Sequence, residues 1–239
     1  MSDKACARTE LLIGRAGIVR LASAHVLVAG LGGVGGQVAE TLARAGVGSL
    51  TLVDGDCVAR SNLNRQVVAL ESTLGRPKTA VMAERIADIN PELAVRACRD
   101  WITPDSLPAL LALGPYDYVA DCIDGVAGKV ALIAACLARE IPIIASMGAA
   151  GRLDPSRVRL TALDRTHGDG LARAVRRGLR ARGLQPELRV VFSDEPVRPA
   201  TREAGAGQAA HGVIGYLPAL FGVMLGGEIV RCLLAHEAR

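Results

Sequence analysis

Short runs of consecutive apolar residues alternate, along the first 150 positions, with longer segments whose apolar residues recur every three or four positions. The runs indicate strands, and the recurrence indicates helices. Continuous Val, Ile and Leu in a strand indicate that both of its faces are covered, as in a parallel sheet between two layers of helices. The predicted strands are HVLVAG (25–30), SLTLVD (49–54), LAVRAC (93–98), DYVADCID (117–124) and IPIIASM (141–147).

Helix-end signals bound the segments between these strands. Gly46 follows the first helical segment, and Pro91 stops the second. Thr103 is the predicted N-cap of the third segment, with Pro104 at its first helical position, where the missing N–H is not needed. A fourth helix is predicted over GKVALIAACLARE. Strand and helix therefore alternate up to about residue 150.

The pattern changes beyond that point. A helical segment, 169–183, lies between two further predicted strands, RVRLTALD (157–164) and LRVVFSD (188–194). Residues 195–211 are rich in Pro, Gly and Ala, and we expect them to form a mobile loop. An apolar helix then closes the chain.

That last helix raises the question of a membrane anchor. Its uncharged part, 212–227, is shorter than the ~20 residues that a span needs, and Pro218 interrupts it. We therefore expect a core or interface helix and no membrane partner.

Together these elements predict an α/β fold, namely a Rossmann-like, doubly wound, mainly parallel sheet with a small α+β C-terminal extension. We expect an N-terminal helical segment at 1–24 and a Rossmann-like domain at 25–150. The extension, 151–239, would hold a basic helix, the mobile loop and the apolar helix.

The first predicted strand leads into the glycine-rich turn GLGGVG, which opens a helix. Glycines let backbone N–H groups approach phosphate oxygens, and the helix N-terminus favours their charge. Asp54 follows 24 positions after the first glycine, where a carboxylate can bind a ribose. The pattern indicates an adenine nucleotide without separating NAD from ATP, and a tight turn without a ligand remains the alternative. The candidate glycines are Gly30, Gly32, Gly33 and Gly35.

Polar and cationic residues after Asp54 favour ATP. A guanidinium fork and a compact ammonium both suit a triphosphate, whereas the glycine turn alone can satisfy a pyrophosphate. Only three of the 28 basic residues are lysines, so a lysine kept in this segment is informative, although chance retention is the alternative. The candidates are Asp56, Asn62, Arg65, Gln66 and Lys78.

Asp124 ends the fourth predicted strand, at the edge where ligands of open α/β sheets bind. A carboxylate there can hold Mg²⁺ against the phosphates. The alternative is an ordinary helix N-cap.

Charge is unevenly spread along the chain. The net charge is +4, yet residues 152–189 contain ten arginines against four acids. Four arginines of the segment 169–183 fall at i, i+3, i+4 and i+7, on one helix face. Such a face suggests a polyanionic partner, with a merely solvated surface as the alternative. The four are Arg173, Arg176, Arg177 and Arg180.

The motifs in order resemble the ubiquitin-activating-enzyme superfamily of adenylyltransferases. The matching stretches are GLGGVG, LVDGD, SNLNRQ, GRPKTAVMAERIADINP and DCIDG, over roughly residues 20–150. The resemblance implies an enzyme that uses ATP and Mg²⁺ to convert a carboxylate into an acyl-adenylate. It implies that Asp54 holds the ribose, that Asn62, Arg65 and Lys78 grip the phosphates, and that Asp124 coordinates Mg²⁺. Arg65, Lys78 and Asp124 would then be the catalytic residues.

The C-terminal part is most similar to bacterial tRNA threonylcarbamoyladenosine dehydratases, through ASMGAAGRLDPSRVRLTALDRTHGDGLARAVRRGLRARG and RVVFSDEPV. This implies adenylation of threonylcarbamoyladenosine in tRNA, followed by ring closure with net loss of water. It also implies a homodimer in which an N-terminal Arg reaches the partner's ATP. Leu11 stands at the aligned position, and Arg8 and Arg15 flank it.

Two other functions stay open. Activators of ubiquitin-like sulfur carriers often have paired CxxC motifs and a loop cysteine, and this sequence has neither a CxxC pair nor a cysteine in 195–211. A nicotinamide-dependent oxidoreductase would need a hydride-transfer site, and neither His167 nor His211 has a recognisable partner. With six unpaired-looking cysteines and no visible signal peptide, we expect a cytoplasmic protein.

Overall fold

One continuous sheet of seven strands organises the protein. A computed structural model describes residues 3–185, 187–201 and 211–235. The strand order is β3-β2-β1-β4-β5-β7-β6. The strands are β1 His25–Ala29, β2 Ser49–Val53, β3 Ala94–Cys98, β4 Tyr118–Asp121, β5 Ile143–Ser146, β6 Val158–Ala162 and β7 Arg189–Ser193.

All neighbouring strands pair in parallel except β6, which runs antiparallel to β7 at the edge of the sheet. The chain first builds outward from β1 to β3 and then returns to place β4 on the other side of β1. Ligands of such sheets bind where the order reverses, at the carboxyl ends of the strands. The predicted doubly wound, mainly parallel α/β fold is confirmed, and its switch point lies between β1 and β4.

Helices cover both faces of the sheet. Alternate residues of β1 show the division, since Val26 and Val28 join one apolar core while Leu27 and Ala29 join the other. The first core includes α2, α3 and α7, and the second includes α4, α5 and α6. The helices are α1 Asp3–Ser23, α2 Gly35–Ala45, α3 Lys78–Ile89, α4 Leu107–Leu111, α5 Val126–Leu137, α6 Gly170–Arg180 and α7 Tyr216–Ala235.

The C-terminal region is built onto the same sheet, since β6 and β7 continue it beyond β5. Helix α7 crosses the sheet and packs closely on α2, where a Cβ at Gly222 would lie 2.4 Å from the carbonyl oxygen of Val34. Among the described helices, α7 alone has the length and hydropathy of a membrane span, and half of that window is buried inside the protein. It packs as a core helix, as expected. Residues 202–210 of the predicted loop lie outside the described residues.

Three predicted element ends differ from the structure. Thr103 caps the turn before α4, its Oγ1 accepting from the N–H of Ser106 at 3.2 Å, and the helix itself begins at Leu107. Pro218 does not interrupt α7, because it lies in the first turn, where no N–H donor is required. Strand β4 ends at Asp121, so Asp124 lies in the following turn and not on the strand.

Candidate active site

A cavity of about 540 Å³ opens at the carboxyl ends of β1, β2 and β4, at the switch point of the sheet. Ten of the eleven predicted nucleotide-binding residues line it, although they are spread over nearly one hundred positions of sequence. The fold therefore brings together what the motifs indicated separately. The ten are Gly30, Gly32, Gly33, Asp54, Asp56, Asn62, Arg65, Gln66, Lys78 and Asp124.

The glycine turn shows why two of its positions must lack a side chain. Gly30 has φ +87°, and a Cβ there would lie 3.0 Å from the carbonyl oxygen of Cys122. Gly35 is the exception to the predicted set, since it does not line the cavity. A Cβ on Gly35 would lie 1.8 Å from the carbonyl oxygen of Gly30, so Gly35 permits the close packing of helix on strand.

Asp54 and Lys78 form the charged side of the cavity. Asp54 accepts from the N–H of Leu31 through Oδ2 (2.6 Å) and from that of Asp56 through Oδ1 (2.8 Å). Lys78, only 4% exposed at the start of α3, donates from Nζ to Asp56 at 2.8 Å and lies 3.9 Å from Asp54. The carboxylates thus hold an ammonium at the cavity wall, ready to be shared with an anion.

A 3₁₀ turn, Arg60–Asn62, and the turn that follows it present the amide and guanidinium groups. The side chain of Asn62 accepts from the N–H of Ala59 at 3.0 Å, which leaves its NH₂ donor available. Arg65 donates from Nη1 to the carbonyl oxygen of Ser61 at 2.8 Å, which uses only part of its donor fork. Gln66 is buried, and its Oε1 has no hydrogen-bond partner within the described residues. This amide in the cavity wall is free to form a hydrogen bond with a ligand or a water molecule.

A buried ion pair that the sequence did not reveal lies beneath this cavity. Nζ of Lys129 is 2.9 Å from Oδ2 of Asp121, and both side chains are fully buried. Asp121 also accepts from the N–H of Ile123 at 3.1 Å, which shapes the turn that leads to Asp124. Burial raises the pKa of Asp121, and Lys129 opposes that rise. The only signal was the rarity of lysine, because the surrounding helix is otherwise apolar.

Asp124 itself is exposed at the cavity and has no side-chain hydrogen bond within the described part of the chain. Gly125, and not Asp124, is the N-cap of α5. The structure therefore does not support the helix-cap interpretation.

Trp101 is a second residue that sequence reasoning missed. It is the only tryptophan, it lies at the cavity, and it is 62% exposed. A Cβ on Gly55 would lie 2.5 Å from its ring, so the indole packs directly on that glycine. A large aromatic surface at the mouth of a cavity can cover a heterocyclic base.

The cysteine and histidine residues in this region argue against a thiolate nucleophile and against a histidine-assisted hydride transfer. Cys122 lines the cavity, and burial, followed by the charge of Asp121, raises the pKa of its thiol. It is therefore a protonated thiol and not a thiolate nucleophile at neutral pH. His167 packs against Phe192, and the ring of His211 contacts the carbonyl oxygen of Arg198. Neither histidine lines the cavity.

Helix α6 begins at this cavity and carries the predicted basic face. Asp169 caps it by accepting from the N–H of Ala172 (2.8 Å), and the same carboxylate accepts from the N–H of Gly148 (3.0 Å) in the cavity wall. Arg152 pairs with Asp169 at 3.2 Å, and both side chains are almost fully buried. Leu171, one residue into the helix, lines the cavity.

The basic face is smaller than predicted. Arg176 turns inward, donating at 3.0 Å to the carbonyl oxygen of Leu163 and at 3.1 Å to that of Thr166, so it stabilises the preceding turn. Its helical spacing predicted a place on the exposed face, but its guanidinium instead binds carbonyl groups beside the helix. The three exposed α6 arginines are Arg173, Arg177 and Arg180.

Comparison with known proteins decides the family. The ThiF family matches residues 6–239 of the sequence. The chain belongs to the ThiF family. It is 41% identical over 238 residues to the tRNA threonylcarbamoyladenosine dehydratase of Bacillus subtilis, across 95% of this chain and 93% of that protein. It is also 34% identical over 203 residues to the molybdopterin-synthase adenylyltransferase of Escherichia coli, across 81% and 78% of the two chains.

A solved structure extends this similarity to the fold. The structure of E. coli tRNA N6-threonylcarbamoyladenosine dehydratase in complex with ATP superimposes with a TM-score of 0.89. The two sequences are 36% identical, and the match covers 98% of this chain and 95% of that one. The resemblance drawn from the motifs, including its finer C-terminal part, is confirmed.

Proposed function

We propose that this chain is an ATP-dependent tRNA threonylcarbamoyladenosine dehydratase. It adenylates the carboxylate of N6-threonylcarbamoyladenosine in tRNA, and ring closure then completes a net loss of water, with release of AMP and pyrophosphate. The observation that carries this proposal is one cavity that gathers Asp54, Arg65, Lys78 and Asp124. A full-length relative of that function, 41% identical, supports the same assignment.

ATP fits the cavity from the glycine turn to the 3₁₀ turn. Asp54 has lone pairs left after its two backbone contacts and lies where it can accept from ribose hydroxyls. The donors of Asn62 and Arg65 line the cavity from two consecutive turns, and the ammonium of Lys78 lines it from α3. A triphosphate would draw Lys78 away from Asp56, because its oxygens offer a denser negative charge than one half-exposed carboxylate.

Asp124 is the residue that would hold Mg²⁺. Protein sites for Mg²⁺ commonly supply one or two carboxylates and leave the remaining positions to phosphates and water. Among the exposed carboxylates of the cavity, Asp124 has no side-chain hydrogen bond within the described residues, which suits that pattern. The ion would neutralise charge on the phosphates as pyrophosphate leaves.

The chemistry needs positioning and charge stabilisation more than a protein nucleophile. A carboxylate oxygen of the substrate bonds to the α-phosphorus while the bond to pyrophosphate breaks. A group of the same side chain then attacks the activated carbonyl carbon, and AMP leaves with the former carboxylate oxygen. Arg65 and Lys78 stabilise the negative charge of the first step. Because attack is intramolecular, the protonated state of Cys122 is no obstacle.

The exposed α6 arginines would bind the RNA backbone. They follow the helix away from the cavity, and none of them has a carboxylate partner within the described residues. Cations in this position attract phosphates in a salt-dependent way. Because the proposed substrate is tRNA, we place the enzyme in the cytoplasm.

A second copy of the chain is the proposed partner of α1. This helix is interrupted at Gly14, and Leu11 and Leu12 just before the interruption are each 85% exposed. Two adjacent, largely exposed leucines favour burial against another surface. A homodimer would bury them and would bring Arg8 or Arg15 towards the partner's nucleotide. Sedimentation of the wild type and of Leu11→Glu/Leu12→Glu tests this, because an unchanged mass would exclude the interface.

The decisive experiment is a single incubation of the purified protein with ATP, Mg²⁺ and tRNA bearing threonylcarbamoyladenosine. We expect the nucleoside to lose one water, in step with AMP formation, and the loss to require ATP. An unchanged nucleoside, with ATP bound, would reject the proposal. The carboxylate would then be sought at the C-terminus of a ubiquitin-like sulfur carrier, through carrier-dependent pyrophosphate exchange.

A further inference from the structure

A second cavity, of about 650 Å³, lies along α6 beyond the nucleotide cavity. The end of β6, the 3₁₀ turn Leu163–Arg165, the C-terminal half of α6 and the segment leading to β7 enclose it. It shares no lining residue with the nucleotide cavity. Nothing in the adenylation chemistry uses it.

Arginines give this second cavity a positive charge, and some of them have no partner within the described residues. Two of its four arginines are engaged, since Arg176 binds backbone carbonyl groups and Arg189 pairs with Glu228 at 2.8 Å. Arg165 and Arg180 are exposed and have no carboxylate partner among the described residues. Two guanidinium groups are therefore available at its rim.

The rest of the lining is mixed. Leucines supply an apolar surface, and two of them, Leu163 and Leu179, are buried. Asp164 and Glu187 add acceptors that would repel a bare polyanion but can accept hydrogen bonds from the amino groups of a base. Guanidinium planes bind phosphates and also stack on bases in single-stranded RNA. The combination of cations, acceptors and apolar surface fits a nucleotide better than an inorganic anion.

The position of the cavity relates it to the RNA. Leu171 lines the nucleotide cavity, and Arg176 and Arg180, further along the same helix, line the second one. At a rise of 1.5 Å per residue the separation along the helix axis is roughly 8–14 Å, and stacked nucleotides rise about 3.4 Å each, so about two to four nucleotides bridge the gap. Arg173 is exposed between the two cavities and Arg177 is exposed beside the second, where phosphates of a connecting strand would lie.

We propose that the second cavity binds one nucleotide of the RNA strand that offers its modified adenosine to the first. This rests on the proposed function, because it takes tRNA as the substrate. It adds a base-contacting site on the enzyme, about two to four nucleotides from the reaction. The exposed α6 arginines would then connect two nucleotide sites and not merely attract the backbone.

Stem–loop RNAs that carry threonylcarbamoyladenosine and a single abasic position test the proposal. Each RNA lacks one base within a few nucleotides of the target adenosine, and its affinity is measured by fluorescence anisotropy. In the wild type we expect one position to weaken binding about tenfold, the effect of losing one charge-assisted contact. In Arg165→Ala/Arg180→Ala that penalty should vanish. Arg182→Ala is the matched control, because Arg182 is exposed just after α6 without lining the cavity, and it should retain the penalty.

Several outcomes would overturn the proposal. If the wild type binds intact RNA and shows no position-dependent penalty, the cavity takes no base. A penalty that survives in the double variant places the base elsewhere. If two ATP molecules bind per chain and the second is lost in the double variant, the cavity takes free nucleotide. If any of these results is found while dehydrated tRNA is still formed, the proposed function stands and only the second nucleotide site is rejected. If the protein neither binds RNA nor forms product, both the proposed function and the second site are rejected.

Discussion

Replacing Lys129 by Met tests how the base of the active site is held together. Met has a similar length and no branch, so the change removes charge while largely preserving volume. It leaves the carboxylate of Asp121 buried without its partner at 2.9 Å. Breaking a buried pair in this way costs about 3–5 kcal/mol. A domain of this size loses about 2–4 °C of Tm per kcal/mol, so we expect a fall of roughly 6–20 °C.

The loss should depend on pH. Burial already raises the pKa of Asp121, and removal of Lys129 raises it further, because only Lys129 supplies an opposing charge. A carboxyl whose pKa is higher in the folded state binds more protons folded than unfolded, so stability falls as pH rises. Relative to the wild type, the loss in the free energy of unfolding of Lys129→Met should therefore be small near pH 4, where Asp titrates in the unfolded chain. The loss should grow as the pH rises through the pKa of Asp121 in the folded variant.

Urea unfolding followed by circular dichroism across a pH series measures this deficit. Lys129→Met/Asp121→Asn is the matched control, and it should recover most of the lost stability because the uncompensated charge is gone. If the deficit of Lys129→Met is equal at every pH and Asp121→Asn does not repair it, the lysine acts through packing and the reasoning is refuted. A second measurement is the dependence of activity on Mg²⁺ concentration. We expect Lys129→Met to need more Mg²⁺ for half-maximal activity, because Asp121 shapes the turn that carries Asp124.

Further predictions concern the ligand side of the cavity. Lys78→Ala should reduce pyrophosphate exchange about 10²–10³-fold, the usual loss for a transition-state donor, with an unchanged far-ultraviolet spectrum; unchanged exchange would remove Lys78 from the mechanism. Asp124→Asn should raise the Mg²⁺ concentration for half-maximal exchange at least about tenfold, and an identical titration would contradict its role. Glutamate at all three exposed α6 arginines should lower the log–log salt slope of tRNA binding by about 2, whereas an unmoved affinity would make them a solvated face. ATP should change the emission of Trp101, and a silent titration with ATP bound would place the base away from the indole.

Local patterns were enough for most of the fold. Strand runs and helix periodicity gave the order of elements because each element is decided by its own residues. The joining of β6 and β7 to the main sheet was not predictable in this way, because strand pairing depends on residues far apart in the chain. The change of pattern near residue 150 predicted a small α+β C-terminal extension, and in the structure the strands of this region continue the main sheet.

The candidate site likewise contains residues that local motifs predicted and contacts that only the fold creates. Residues within the quoted motifs reached the cavity because a strand end, a turn and a helix start place them there. The pairing of Asp121 with Lys129 was hidden because both lie in apolar runs, and only the strand–turn–helix path joins them. Arg176 was misplaced because helical spacing specifies a face, whereas the groups next to that face decide whether it meets water.

Helix α6 is where ATP chemistry and RNA binding meet in the proposed enzyme. Its N-terminus is fixed by one carboxylate, since Asp169 accepts from the N–H of Ala172, from that of Gly148 in the cavity wall, and pairs with Arg152. A buried charge pair of this kind tolerates little displacement, because either partner alone would be uncompensated. Every arginine further along α6 then stands at a set distance from the cavity through the helical rise. An RNA strand held by these arginines would be positioned relative to the nucleotide by one rigid element, so that binding energy gained outside the cavity serves to align the carboxylate within it.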